Sequence, residues 1–552
     1  MVKKVYKSNK ITIKAGSSIG ESSAEDDHHF LSHCFVDKFE LSQILNLDDN
    51  NKSIILGRTG AGKSALMKRI EENENINISV LDPQALFFQH VTNSVTFDFF
   101  VKLGANLDIL FSTLWKHILL VEALNLYFQN QSNFEKVCGS FRGKEKSLKS
   151  YVDKWSDDFW DSSEVSVKEV VKNIEQNLTA SAGVSADIIS LGAKGAESIS
   201  KEERFKINDR ITSAVNTPLA SQINKAIVSL NELTVGRQNS FYILLDELDE
   251  NWMISDYKYR LIRSLVETIR KFRKVRRLKI VVAMRTDLYE RTIIETAKNG
   301  FQSEKYKGLF VDLKWTAVDL RKLVDSRVNE LFKWQYTKSS VNFSNIFPPQ
   351  IRGEDSFHYL MKRTMMRPRD IIDFINFILE ESVGSVVSQE NDTVYLSSKR
   401  ISSAEEKYSF DRRAAIISEW SIVHPQLKTY LSLISSMKEN FSFSNTKIDE
   451  EIESIALNLC DDTKIVRKDG VRRAAENFLE NESNFAKHQL KQEIFSVLYK
   501  IGVLSVKLTN SAPFKNSTDS VAFLSPGAID GAAKFKVQPM FWRAFGVTPN
   551  IG

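Results

Sequence analysis

Residues 53 to 64 read Ser-Ile-Ile-Leu-Gly-Arg-Thr-Gly-Ala-Gly-Lys-Ser. Gly57, Gly62, Lys63 and Ser64 meet the spacing G-x-x-x-x-G-K-[ST], with a further glycine at Gly60. A loop that wraps a phosphate with its own N–H groups needs backbone angles that a side chain would block, which accounts for the glycines. The helix expected from about Lys63 aims its positive end at the same phosphates. In this chemistry Lys63 reaches the β- and γ-phosphates and the Ser64 hydroxyl holds Mg²⁺. The expected binding loop is therefore Gly57, Arg58, Thr59, Gly60, Ala61, Gly62, Lys63 and Ser64, with Ala65 behind it on the helix.

Hydrolysis needs acids beside that loop, and residues 241 to 250 supply them as Phe-Tyr-Ile-Leu-Leu-Asp-Glu-Leu-Asp-Glu. The dense apolar run suits a strand buried on both faces of a parallel sheet. Asp246 falls at its carboxyl end, where ligands sit in open α/β sheets, and is expected to contact Mg²⁺. Glu247 follows as the carboxylate that orients and deprotonates a water. Asp249 and Glu250 read as the acidic start of the next helix.

The elements that must position these groups belong to a 552-residue chain, long enough for about three domains. An apolar fraction of 42% is ordinary for globular proteins, and a net charge of +5 over this length does not by itself indicate nucleic acid. Cys34, Cys138 and Cys460 are too scattered for a zinc site or a disulfide framework, and suit a reducing interior. Met1 to Gly16 lacks the apolar core of a signal peptide. Leu110 to Phe128 carries Lys116, His117 and Glu122, so it reads as a core helix and not a membrane span. The expected compartment is cytoplasmic.

Residues 1–35 read as a loosely ordered lead, with Ser, Gly and acidic residues between Gly16 and Asp27. An ATPase-type core is expected over 36–316, interrupted by a mostly helical insertion at about 84–235. Phe35 to Leu47 reads as a lead-in helix, and Ala180 to Ser200 as a flexible loop. Further strands are expected at Asn77–Asp82, Leu278–Met284 and Leu309–Leu313. A helical lid spans 317–399. Residues 400–552 run through helices to about Tyr499, then strand, polar loop and strand, the outline of a winged helix.

Two arginine motifs complete the constellation. The strand Ile280–Met284 delivers Arg285 to the sheet edge that carries Lys63 and Asp246, where a cation can sense a γ-phosphate. Arg367-Pro-Arg-Asp370 opens a helix beyond the sheet, from which an arginine can couple hydrolysis to lid motion. Taken together, Gly57–Ser64, Leu245–Glu250, Met284–Asp287 and Arg367–Asp370 resemble the AAA+/STAND assemblage of P-loop ATPases. The likeness is greatest to the origin-recognition-like branch, and to a poorly characterised bacterial group that shares a C-terminal F-W-R-A-x-G, here Phe541 to Gly546.

The resemblance implies a P-loop NTPase core, a parallel sheet flanked by helices, followed by the helical lid and an α+β winged-helix-like C-terminal region. It implies ATP and Mg²⁺ as ligands, Walker A at Gly57–Ser64, Walker B at Asp246 and Glu247, a sensor-1-like Arg285 and a sensor-2-like Arg369. The chain departs from the pattern at Arg285, where Asn or Thr is usual, and offers no identifiable arginine finger.

The stretch 270–279, Arg-Lys-Phe-Arg-Lys-Val-Arg-Arg-Leu-Lys, reads as the solvated face of a helix with Phe272, Val275 and Leu278 inside, ahead of a nucleic-acid footprint. The expected function is an ATP-hydrolysing switch of a bacterial system. Its foremost setting is antiphage defence, as a homo-oligomer or with a separate effector protein. A DNA-associated ATPase of replication, repair or mobile elements is the alternative, and a nucleotide-gated scaffold that rarely hydrolyses is a third possibility.

Overall fold

The computed structural model describes residues 10–47, 51–84, 86, 95–129, 143–155, 189, 194, 197, 199–207, 218–235, 239–249, 255–297, 301–335, 340–389, 393–421, 423–435, 437–461, 469–517, 524 and 526–549. Two compact units emerge: Asp37–Lys314, and a second built from Met1–Val36 with Trp315–Gly552.

In the first unit five strands form a parallel sheet: β1 (Ile54–Gly57), β2 (Ile76–Leu81), β3 (Ser240–Leu245), β4 (Leu278–Arg285) and β5 (Phe310–Asp312). Their order is β2-β3-β4-β1-β5, so the chain reverses direction across the sheet at β1. Such a switch point opens a crevice at the carboxyl ends of the strands. Register fixes what lines it, with Gly57 opposite Arg285 and Leu245 opposite Val282. Phe241 to Leu245 and Leu278 to Met284 are buried throughout, as strands covered on both faces require.

Helix α1 (Phe39–Leu45) is held by its carboxyl end. Lys279, buried in the sheet, donates to the Gln43 and Asn46 carbonyls at 3.2 and 2.7 Å, satisfying groups that a helix terminus leaves open. Helix α2 (Lys63–Glu71) follows β1 directly. Of the interruption between β2 and β3, the described residues are largely helical, and α3 (Leu107–Gln129) is buried around most of its circumference. Its Trp115 indole donates to the Leu261 carbonyl of α4 (Ser255–Phe272) at 3.0 Å. Its His117 shares a hydrogen bond with Tyr151, and burial pushes the imidazole down to about 3. Among the described residues no helix is long and apolar enough to cross a membrane. Most of the Ala180–Ser200 stretch, and Glu250, lie outside the described residues.

The second unit has one continuous apolar core. Helix α5 (Ala317–Phe332) opens with a reciprocal capping box between Thr316 and Asp319. It is followed by α6 (Pro368–Glu381) and α7 (Ser398–Trp420). Residues 1–35 were expected to be loose, yet from Lys10 on they are built into this core. Lys10–Thr12 pairs antiparallel with β6 (Val386–Ser388), and Ile11, Ile13 and Ile19 are buried. Asn376 accepts from the Ile19 N–H at 2.9 Å and donates to the Gly20 carbonyl at 2.8 Å. Asp27 forms a buried ion pair with Arg327. Three isoleucines outweigh the polar composition around them.

The expected division at 399/400 also differs. The chain continues through β7 (Asn440–Phe441), α8 (Thr446–Asp461), α9 (Gly470–Asn481), α10 (Asn484–Lys500), β8 (Leu504–Lys507) and β9 (Lys534–Val537). Its three strands form an antiparallel sheet in the order β7-β9-β8. The end of the chain then returns to α7. Ser409 accepts from the Ala544 N–H at 3.0 Å, and Arg413 donates to the Ala544 carbonyl at 3.2 Å. Glu405 of the same helix binds Arg363 at 2.7 Å. Helix α7 therefore serves lid and C-terminal region alike, and the F-W-R-A-x-G motif is the clasp between them.

Candidate functional site

The glycines of the β1–α2 loop are required by its geometry. Gly60 and Gly62 take φ of 75° and 89°, conformations that L side chains rarely adopt. At Gly57 an added Cβ would come within 3.2 Å of Ala61 Cβ and 3.3 Å of Lys63 Cγ. Gly62 is the N-cap of α2 and has no side chain to take up the first helical N–H groups, so the positive end of the helix faces the loop.

Lys63 stands at the start of that helix and its ammonium donates to the Arg58 carbonyl at 3.2 Å. Burial lowers its pKa, against the opposing pull of Asp246 and Asp249. A desolvated cation at a helix N-terminus favours an anion between the two. Ser64 hydrogen-bonds to the carboxylate of Asp246, whose pKa burial raises while the Glu247 N–H, Ser64 and Lys63 counter it. A hydroxyl from the first turn of α2 and a carboxylate from the end of β3 thus meet as a pair of hard oxygen donors, the set that suits Mg²⁺.

Glu247 is exposed and sits at φ 60°, while its N–H donates to Asp246 Oδ1 at 2.8 Å. A glutamate held in the left-handed region two residues past the end of a buried strand is a strained residue at the mouth of the crevice. Asp249, expected at a helix start, lies instead in the turn before α4 and accepts from Arg285 at 3.1 Å. Arg285 also donates to both oxygens of Asp287, at 3.0 and 2.9 Å. Asp249 and Asp287 are the members of this cluster for which no part in the chemistry was expected. The R-x-D spacing of 285 and 287 was the available signal for one of them.

The loop, Lys63, Ser64, Asp246, Glu247 and Arg285 are thus gathered at one edge of one sheet. Arg369 belongs to the other unit, where its Nε donates to the Ser22 carbonyl at 3.2 Å. Its motif partner Arg367 is turned inward and grips Asp370 with two bonds of 2.8 and 3.0 Å.

Comparison with known proteins gives two likenesses. Residues 318–417 match the FunZ-associated C-terminal helical domain. That span runs from α5 into α7, across the expected 399/400 division. The chain is also 21% identical, over 558 aligned positions, to a protein of Escherichia coli (strain K12) described provisionally as the transposon gamma-delta 80.3 kDa protein. The alignment covers 98% of this chain and 68% of that protein.

Proposed function

We propose that this chain is a P-loop ATPase acting as a molecular switch, as its resemblance to the AAA+/STAND assemblage implies. The observation that carries the reading is the meeting of Lys63 and the Ser64–Asp246 pair at the carboxyl edge of a parallel sheet, beside a loop with two glycines at positive φ and a third in tight contact with Ala61. ATP would lie on Gly57–Ala65, its phosphates drawn to the α2 N-terminus and to Lys63. Ser64 and Asp246 would hold Mg²⁺, which when bound neutralises phosphate charge. Glu247 takes a proton from the attacking water, and its exposed position leaves the carboxylate accessible to that water. Arg285, fixed by Asp249 and Asp287, is held where charge develops on the transferred phosphoryl group. Arg369 acts as a second sensor from the helical lid.

Purified protein should hydrolyse ATP, Lys63→Ala should lose both binding and turnover, and Glu247→Gln should bind ATP without turning it over. Normal hydrolysis by Glu247→Gln would sink the base assignment.

The setting proposed first is a cytoplasmic antiphage system in which the switch, as a homo-oligomer or with an effector protein, controls a damaging activity. The name of the Escherichia coli relative favours the second setting, a DNA-associated ATPase of mobile elements. The helix–strand–loop–strand order from α10 to β9 supports a winged-helix reading that either setting accommodates. ATPase stimulated by duplex DNA would select the second setting; oligomers formed on ATP addition without DNA would select the first.

A further inference from the structure

The opposite edge of the same sheet carries a feature that nucleotide chemistry does not use. Phe272, Val275 and Leu278 are buried, as their spacing predicts, while Arg270, Lys271, Arg273, Lys274, Arg276 and Arg277 are all exposed. Two cations in the last turn of α4 would complement the helix dipole; the other four lie beyond the helix end at Phe272. Among the described residues none of the six pairs with a carboxylate. Acids on the neighbouring elements are otherwise engaged: Glu267 binds Arg263 at 2.9 Å, Asp108 binds Arg260 and Arg263, and Glu232 pairs with Lys144. On the adjoining segment Ser303–Leu309, Lys305 and Lys307 are exposed as well, with Glu304 4.0 Å from Lys307.

Three details show that this charge is built in. Lys116 of α3 is brought within hydrogen-bonding reach of Lys271, and burial together with that neighbour pushes its pKa down to about 8. Arg277 takes φ 64°, a left-handed turn between helix and strand where glycine is the unstrained choice. Its carbonyl accepts from the Phe241 N–H at 2.8 Å, which locks that turn to the sheet. Arg270 is held over the Tyr306 ring at 5.6 Å, and Tyr306 in turn stacks on Phe301. The cations are therefore presented from a rigid support, against their mutual repulsion.

We infer that the α4–β4 turn, with Arg270, Lys271, Arg273, Lys274, Arg276 and Arg277, is a docking surface for the phosphodiester backbone of a nucleic-acid duplex. A run of mixed Arg and Lys with no interspersed carboxylate suits the regular repeat of phosphates, and it reads charge without reading sequence. The surface lies roughly 25 Å from Arg285, the eight-residue length of β4, so a duplex and a nucleotide can occupy the unit together. It does not depend on the ATPase reading, and Lys63→Ala should leave duplex binding intact.

The test is fluorescence anisotropy of the full chain with a mixed-sequence DNA duplex, the same sequence as an RNA duplex, and a polyglutamate peptide, each over a salt series. Binding to a duplex should weaken roughly tenfold in Arg273→Gln/Lys274→Gln, with the slope of log K against log salt falling by about two. Arg277→Gly should weaken binding while leaving the melting temperature unchanged or higher, which guards the test against misfolding. The tighter of the two duplex arms names the natural ligand. Unchanged duplex affinity in all variants would overturn the inference by moving the contact elsewhere in the chain. So would polyglutamate binding without duplex binding, which marks an acidic protein as the partner, or no binding to any probe.

Discussion

Arg285 Nη1 donates to Asp249 Oδ2 across 3.1 Å, which ties the end of β4 to the turn that leaves β3. Asp287 grips the same guanidinium with both oxygens. A planar fork held by two carboxylates has little freedom, so its direction relative to Lys63 and Asp246 is set before any ligand arrives. Asp287→Asn should therefore lower kcat for ATP by about tenfold with KM little changed, and Asp249→Asn by less. A steady-state kcat and KM comparison decides it. A raised KM at constant kcat would instead assign the cluster to ground-state binding.

Glu247 offers a case where fold and chemistry ask for different residues. Its φ of 60° disfavours any side chain, by about 1–2 kcal/mol for an L-residue in the left-handed region. Glycine removes that strain but loosens the unfolded chain, an opposing term of about 0.5–1 kcal/mol. Glu247→Gly should thus melt at the wild-type temperature or slightly above it, while ATP turnover falls by about a hundredfold or more. A variant that melts well below wild type would show that the side chain supports the turn.

Much of this architecture is written locally. Ile54–Leu56 and Phe241–Leu245 are apolar runs ending at chemistry-bearing residues, so both strands and the edge they share can be read without long-range knowledge. The partnership of Asp249 with Arg285 cannot, because it depends on β3 and β4 lying side by side. The N-terminal lead misleads for a related reason. Ile11, Ile13 and Ile19 are sparse among Ser, Gly and acids, and only the groove beside α6 and β6 makes them core residues. Helix α7 hides the lid boundary because Glu405, Ser409 and Arg413, four residues apart along one face, hold Arg363 and Ala544 alike.

The motif Arg367-Pro-Arg-Asp370 reads symmetrically in sequence, and the fold divides it. Pro368 occupies the first helical turn, where its missing N–H is harmless, and Arg367 becomes the N-cap. From there it reaches Asp370, which is fully buried and also accepts from the Met365 N–H at 3.0 Å. Removing Arg367 strands a buried carboxylate with Arg412 at 3.4 Å as its remaining cation, so Arg367→Ala should cost about 3–5 kcal/mol of stability. Arg369→Ala deletes a half-buried side chain that donates to the Ser22 carbonyl, and should cost about 1 kcal/mol or less. Thermal melts of the two variants separate the structural arginine from the candidate sensor. Only Arg369→Ala tests hydrolysis cleanly.

The same cluster should make the second unit sensitive to pH. Asp373 is raised to about 6 by burial, even though Arg412 lies 2.9 Å away, because Asp370 adds a like charge beside it. A carboxylate that holds its proton more tightly when folded takes one up on folding between its ordinary value and the raised one. Stability therefore falls as pH rises from about 4 to 6, and stays lower above that by on the order of 3 kcal/mol. Asp370 works in the opposite sense. Its pKa is lowered by Arg367, the largest influence acting against its burial, so its contribution is present above the ordinary carboxylate value and lost only at lower pH. Asp373→Asn should abolish the slope between about pH 4 and 6 and raise the melting temperature at neutral pH, while Arg412 keeps Asp370 and Asp411 as partners. Melting curves of wild type and variant across that range are the check; parallel curves would show that Asp373 stays ionised throughout.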